Sequence, residues 1–251
     1  MIDALTELAD EELGQPASPE PDLPTLRSTI ANVSPLPSTA LFLGLADDGL
    51  PVLLDLYDPV PGPLLIVADE AGGKTLFLQM VAQAIELLHN PADVQSAVIT
   101  QKPDEWANLQ DSQSIVGIYT TQDDAALELL QSLVEWAHNN RENKQSILLL
   151  VDDLESILKL DPQIEQSLRW LLLRGPSHRV WPIVTISSSH AHEMEAWLGF
   201  FRTRLFGHIQ DAHNSRFVTN DPDKVFDNLT ASQFAMREGK HWLNFWAPAI
   251  D

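Results

Sequence analysis

Short continuous apolar runs alternate along this chain with longer stretches in which apolar residues recur every three or four positions. The short runs predict strands at 64–67, 97–99, 115–119, 147–151, 183–186 and 205–209, and a last one at 242–245. The longer stretches predict helices at 74–89, 125–140 and 162–173. In the second of these, Leu127, Leu130, Val134 and Ala137 form a stripe expected to face the core. Strands separated by helices are the signature of an α/β domain, here an α/β core with a mainly parallel central sheet flanked by helices. Asp47, Asp48 and Gly49 read as a hairpin turn between Leu43 and Val52. No internal repeat is present.

Upstream of residue 40 the alternation stops. Residues 1–39 hold six of the 17 prolines (Pro16, Pro19, Pro21, Pro24, Pro35 and Pro37) and a single basic residue, Arg27. This composition predicts an acidic, proline-rich extended arm over 1–39, followed by one domain over 40–251. Within the arm, Ile2, Leu5, Leu8 and Leu13 fall near one face of a short helix that could dock on a partner.

Composition narrows the function classes. With 44% hydrophobic residues in 251, the domain can bury a sizeable core. The absence of cysteine excludes disulfides and thiolate metal sites. The opening MIDALTELADEELGQ places acids where a signal peptide needs a basic start, and no apolar run reaches the about 18 residues of a membrane span. The expectation is a cytoplasmic protein without membrane insertion. A net charge of −21 argues against coating nucleic acid, though not against DNA passing through a small basic pore.

Candidate chemistry begins after the strand at 64–67, with ADEAGGKT, Ala68 to Thr75. A strand, a glycine-rich loop and a helix in that order form a phosphate cradle if Ala68 is accepted at the first glycine position. Backbone N–H groups of Ala68, Asp69, Glu70, Ala71, Gly72 and Gly73 would line it. Lys74 would reach the β- and γ-phosphates, and Thr75 would offer its hydroxyl to Mg²⁺. Asp69 and Glu70 are out of keeping with a polyphosphate site unless their carboxylates point away from it.

A second signal is SILLLVDD, Ser146 to Asp153, a buried-strand pattern ending in two acids. Asp152 is the expected metal partner and Asp153 the residue placed to polarise an attacking water. The cofactors implied are ATP and Mg²⁺.

Several further segments, in order, resemble the FtsK-type translocases of the FtsK/HerA superfamily. ALFLGLADDGLPVLLDLYDPVPGPLLIVADEAGGKT is similar to the segment that leads into the family's nucleotide loop. AVITQKPDEW resembles a strand end whose lysine matches Lys102, and DAALELLQSLVEWAHNNR resembles the helix ahead of the metal strand. TRLFGHIQDAHNSR, Thr203 to Arg216, resembles the family's T-R-I-x-F-x-V…D-S-R element. The resemblance implies a RecA-like P-loop core and a homo-oligomer, a ring that in that family is a hexamer. It also implies Arg204 or Arg216 as a trans-acting arginine, and pumping of DNA or protein with the substrate supplied by a partner protein. Arg174 and Arg179, near the sensor strand, are further arginine candidates.

The chain departs from the family at Ala68, where Gly is usual, and at Asp153, where Glu is usual. It departs again at Ser187 and Ser188, which stand in place of a Thr-Gln sensor pair. These changes leave three readings open: a slow ATPase, a switch that binds ATP and assembles, and a degenerate scaffold. His190, His192 and Glu193 lack a third ligand at a recognised spacing and read as a loop. The seven tryptophans read as core.

Overall fold

The run Leu64–Ala68 is apolar throughout and buried throughout, as a strand covered on both faces must be. In the computed structural model, which describes residues 24–121, 124–140, 145–158 and 162–251, it is β3 of a ten-stranded sheet. The segment from Ile2 to Leu13 lies outside the described residues. The other strands are β1 (Ala40–Ala46), β2 (Pro51–Asp55), β4 (Val94–Thr100), β5 (Ile115–Thr120), β6 (Ser146–Val151), β7 (Val180–Ser187), β8 (Thr203–Phe206), β9 (Gln233–Glu238) and β10 (His241–Trp246). Their order is β2-β1-β10-β9-β8-β3-β7-β6-β4-β5. From β8 to β5 every pairing is parallel, and from β8 to β2 every pairing is antiparallel.

Side chains in the central strands alternate between two cores, as the two-residue period of a strand requires. Leu64, Ile66, Leu148 and Leu150 face one, Leu65, Val67, Leu149 and Val151 the other. The first core is closed by α2 (Lys74–Leu88), through Phe77, Leu78, Val81 and Ile85. The second is closed by α3 (Ala125–Asn139) and α5 (Pro162–Arg174). The α3 stripe is rotated from expectation. Ala126, Leu129, Leu130, Leu133 and Ala137 are buried, while Leu127 and Val134 pack at the edge.

Within the span expected as an extended arm, residues 26–33 form a helix. α1 (Leu26–Val33) is capped by the Thr25 side chain and buries Leu26 and Ile30, and Thr25 bridges Ala249 near the chain end. Thr25 followed by an i, i+4 apolar pair is a helix start that the surrounding prolines obscured. β8 stops at Phe206 rather than 209 because the chain turns at Gly207 across the start of the loop after β3. Among the described residues, no helix is long and apolar enough to cross a membrane.

This order places β7 between β3 and β6, so the C-terminal ends of β3, β7 and β6 open side by side on one edge of the sheet. Ligands of open parallel sheets bind at that edge.

Candidate functional site

β3 ends at Ala68, and residues 69–73 turn into α2 with Gly73 at the N-cap position, at φ 81. No side chain caps this helix and its first turn carries no acid. Its N–H groups and the positive end of its dipole are therefore directed at whatever occupies the loop. The loop is tied by Asp69 N–H to His208 O at 2.9 Å and Gly72 N–H to Asp69 O at 3.1 Å. Ala71 is held at φ 58, a left-handed conformation costing a residue with a Cβ about 1–2 kcal/mol.

Ala68 at the first glycine position is accommodated by two other glycines. A Cβ on Gly72 would lie 2.8 Å from the Ala68 methyl, and a Cβ on Gly207 would lie 3.0 Å from it. The methyl occupies space that side chains at those positions would need. Asp69 is engaged sideways: Ser188 Oγ donates to its Oδ1, and Gln210 N–H to its Oδ2 at 2.8 Å. Of the four carboxylates acting on Lys74, that of Asp69 acts least. Glu70 is exposed on the loop rim.

Lys74 folds back on the loop, its Nζ donating to Ala68 O at 3.0 Å and Asp69 O at 2.7 Å. Burial pushes the ammonium below the usual lysine range, and the carboxylates of Glu155, Asp152, Asp153 and Asp69 oppose that shift. A half-buried cation held by neutral carbonyls is poised to exchange them for phosphate oxygens.

Asp152, at the end of β6, is 8% exposed. Its Oδ2 accepts from Thr75 Oγ1 at 2.9 Å and Thr100 Oγ1 at 3.4 Å, and its Oδ1 from Thr185 Oγ1 at 3.2 Å. Burial raises its pKa above the usual carboxylate range, the bonds from Thr75 and Thr185 pull it back, and the Asp153 charge pushes it up again. A divalent cation would relieve that burial. The hard oxygens of Asp152 and Thr75 fit Mg²⁺, which takes one or two protein ligands and completes its shell with phosphate and water. No group of three or more acidic, histidine or cysteine ligands exists among the described residues, so an ion here would depend on nucleotide phosphates.

Asp153 follows with φ 79 and ψ 86, its N–H bonded to Thr185 Oγ1 at 2.8 Å. Thr185 therefore ties β7 to both members of the acidic pair. Ser187 and Ser188, which stand in place of a Thr-Gln sensor pair, bond elsewhere. Ser188 bonds Asp69, and Ser187 Oγ meets Ser189 Oγ at 3.0 Å. Glu155, on the short helix α4 (Leu154–Ile157), was not singled out. Buried at 3% exposure, it accepts from Ser187 N–H at 2.9 Å. Burial, and then the Asp153 carboxyl beside it, push its carboxyl up to about 8. An acid two residues beyond the metal pair, at the start of an apolar helix turn, was the available signal.

The candidate arginines separate. The Arg204 guanidinium donates to Leu198 O and Val218 O, both at 2.7 Å, and its Nε to Phe201 O at 3.2 Å. It is spent inside its own chain, tying together the loop ends whose carbonyls it caps. Arg216 lies exposed on α6 (Ala212–Thr219), the helix next to the loop rim. Arg174 and Arg179 flank the start of β7, the end of that eight-residue strand away from the site, and Arg179 stacks on Tyr57 at 3.3 Å. Lys102 is exposed and pairs with Glu105 at 3.2 Å. His192 stacks on His213 and Phe217 rather than joining a metal cluster.

No protein-family model matches the chain. Transcription termination factor Rho of Haemophilus influenzae is 31% identical over 123 residues, 46% of this chain and 29% of that protein. Rho of Escherichia coli is 26% identical over 121 residues. The chain thus spans under a third of the length of the curated relatives it matches. Among solved structures, the cytoplasmic domain of the type VII secretion ATPase EccC of Thermomonospora curvata superposes with a TM-score of 0.72 at 15% identity, covering 91% of this chain and 32% of that one. ATPases 2 and 3 of EssC from Geobacillus thermodenitrificans give 0.73 at 13% identity, covering 94% and 48%. The pCW3 conjugation coupling protein TcpA gives 0.68 at 15% identity, covering 94% and 72%. The architecture of this chain is the RecA-like P-loop ATPase fold.

Proposed function

We propose that the chain binds ATP with Mg²⁺ through Ala68 to Thr75 and Asp152 and hydrolyses it slowly, as one subunit of a homo-oligomeric ring of the FtsK/HerA type. The observation that carries this reading is the bond from Thr75 to Asp152 at 2.9 Å, which joins the phosphate loop to the metal strand. With Mg²⁺ bound, the cation would neutralise phosphate charge and orient the γ-phosphate. Lys74 would give up its carbonyl partners to the β- and γ-phosphates. Asp153 would accept a hydrogen bond from the attacking water. Beside the loop, a cavity of about 580 Å³ lined by Gly73, Leu76, Thr230 and Ala249 has room for the base.

Arg216, exposed beside the loop rim, would meet the nucleotide of the next subunit. The substrate moved would be DNA or a polypeptide passing through the ring, delivered by a partner protein. TcpA is a conjugation coupling protein, and ATPases 2 and 3 of EccC have been seen with a signal sequence peptide. The alternative, a switch that binds ATP without turning it over, is favoured by one observation: Asp153, standing in the place of the water-polarising residue, is a methylene shorter than Glu.

Calorimetry with Mg-ATP on wild type and Lys74→Ala, alongside phosphate release, tests the reading. Binding lost in the variant together with measurable wild-type turnover supports the motor, and binding without turnover supports the switch. No binding at millimolar ATP by folded, assembled protein overturns both.

A further inference from the structure

Asp69 stands in the phosphate loop, but the nucleotide chemistry outlined above uses only its backbone. Its half-buried carboxylate joins two other segments. Oδ1 accepts from Ser188 Oγ just past the end of β7, and Oδ2 accepts from Gln210 N–H at 2.8 Å. Its N–H donates to His208 O at 2.9 Å, and its carbonyl accepts from Gly72 N–H at 3.1 Å and Lys74 Nζ at 2.7 Å. Every polar atom of Asp69 is thus bonded, and two of these bonds hold residues 208–210. That stretch leads directly into α6, whose N-cap Asp211 accepts from His213 N–H at 2.7 Å and which carries Arg216. Asp69, Ser188, Gln210 and Asn214 line one cavity of about 370 Å³, so the first turn of α6 faces the loop. We propose that Asp69 is a positioning residue that fixes the start of α6 to the phosphate loop and thereby aims Arg216 at the nucleotide of the neighbouring subunit. The proposal rests on the trans-arginine reading for its effect on turnover, but the hold on α6 does not.

The physical case starts from Arg216. Its side chain is exposed and, among the described residues, makes no hydrogen bond or ion pair, so the placement of α6 decides where it reaches. Catalytic groups act only when the elements that carry them are held in place by neighbouring bonds. The bond from Gln210 N–H ends on an ionised acceptor, which is the stronger kind of hydrogen bond. Gln210 also lies one residue before the N-cap, where the positive end of the α6 dipole favours a carboxylate. Ser188, at 1% exposure, anchors the other carboxylate oxygen to the buried end of the sheet. Lys74 bonds the carbonyl of Asp69 and not its carboxylate, so exchanging that partner for phosphate leaves the hold on α6 intact.

The test uses mixed rings of the full chain, in which Arg216→Ala supplies an intact loop and Lys74→Ala an intact arginine. A further change in the Lys74→Ala chain cannot act through that chain's own hydrolysis, which is already lost. Alanine at 69 removes both side-chain bonds. Asparagine keeps both, its Oδ1 accepting from Gln210 N–H and its Nδ2 donating to Ser188 Oγ. Turnover is compared with K74A, K74A/D69A and K74A/D69N as the arginine donor, at equal ring size by sedimentation. Misplacing a catalytic group by about 1 Å can cost about 10²-fold in rate, so K74A/D69A is expected to restore at least about tenfold less activity than K74A, and K74A/D69N nearly as much. Full restoration by K74A/D69A would overturn the proposal, and equal loss in both would overturn the hydrogen-bonded hold in favour of charge alone. Where D69A folds or assembles poorly, Ser188→Ala in the donor deletes one bond from outside the loop; an intermediate loss supports the hold and no loss overturns it. If Arg216→Ala and Lys74→Ala regain nothing together, the trans-arginine reading fails on its own. Hydrogen exchange then decides the hold. A Gln210 amide that exchanges about tenfold faster or more in D69A, and at the wild-type rate in D69N, supports it, and equal rates in all three overturn it.

Discussion

Thr75 Oγ1 donates to Asp152 Oδ2 at 2.9 Å, joining the first turn of α2 to the end of β6 across 77 positions of sequence. A hydroxyl and a carboxylate so placed would supply two of the six ligands of an octahedral Mg²⁺, with the acid already bearing the cost of burial that a cation would offset. The pKa of Asp152 is raised, so its ionised form destabilises the fold above the usual carboxylate range. Asp152→Asn is therefore expected to melt no lower than wild type at neutral pH, while weakening Mg-ATP binding about tenfold or more. ATP binding in excess chelator should be the same in both. Calorimetry with and without Mg²⁺ checks this, and equal losses in the two conditions would remove Asp152 from the metal site.

The Ala68 methyl and Gly207 are coupled by space alone. A Cβ at 207 would stand 3.0 Å from that methyl and 3.0 Å from Gly72 O. Gly207→Ala is expected to destabilise by about 1–3 kcal/mol in urea denaturation, the usual range for overpacking. Ala68→Gly in the same chain should restore part of that loss. A double-mutant cycle measures the coupling, and strict additivity would show that the methyl and residue 207 do not compete for the same space.

The loop Ala68–Thr75 and the pair Asp152–Asp153 were legible in sequence because each follows an apolar run whose burial on both faces forces a central parallel strand. The order of strands in the sheet was not, since register and neighbours arise from pairings between distant segments. That is why Thr185, one strand over from Asp152, escaped notice in favour of Ser187 and Ser188. Gly207 was invisible for the same reason: its role is a contact with Ala68. α1 was hidden by the prolines on either side of it, although Thr25 is a helix cap and Leu26 and Ile30 are four apart. Arg204 and Arg216 share one sequence element, yet only the folded chain shows one half-buried and bonded to three carbonyls and the other exposed.

Stability should depend on pH through Glu155. Its folded-state pKa is raised from 4.5 to about 8, so the native protein binds more protons than the unfolded chain between those values. The sign of the linkage then makes stability fall as pH rises through that window, with this contribution fully present below it and gone above it. Glu155→Gln cannot ionise and should lack the decline. The expected result is a melting-temperature difference between variant and wild type that widens from pH 5 to pH 8 and is constant beyond. A difference independent of pH would show that Glu155 titrates as an ordinary exposed acid.

Arg204 and Arg216 predict opposite phenotypes. Arg204 makes three bonds to carbonyls of its own subunit, and burial lowers its pKa. A lysine there can keep at most part of that fork, so Arg204→Lys is expected to lose about 2 kcal/mol in urea denaturation, at about 1 kcal/mol for each bond given up. Arg216 is exposed and, among the described residues, its side chain makes no hydrogen bond or ion pair, so Arg216→Ala should leave the melting temperature unchanged. If the arginine reaches a neighbour's nucleotide, its removal should nonetheless lower turnover by about 10³-fold without weakening ATP binding. Mixing inactive Arg216→Ala with inactive Lys74→Ala then distinguishes a trans role from a local one. In mixed rings a variant with an intact loop can face a neighbour with an intact arginine, so part of the activity returns. Mixtures as inactive as their components would exclude the trans role and leave Arg216 acting within its own chain.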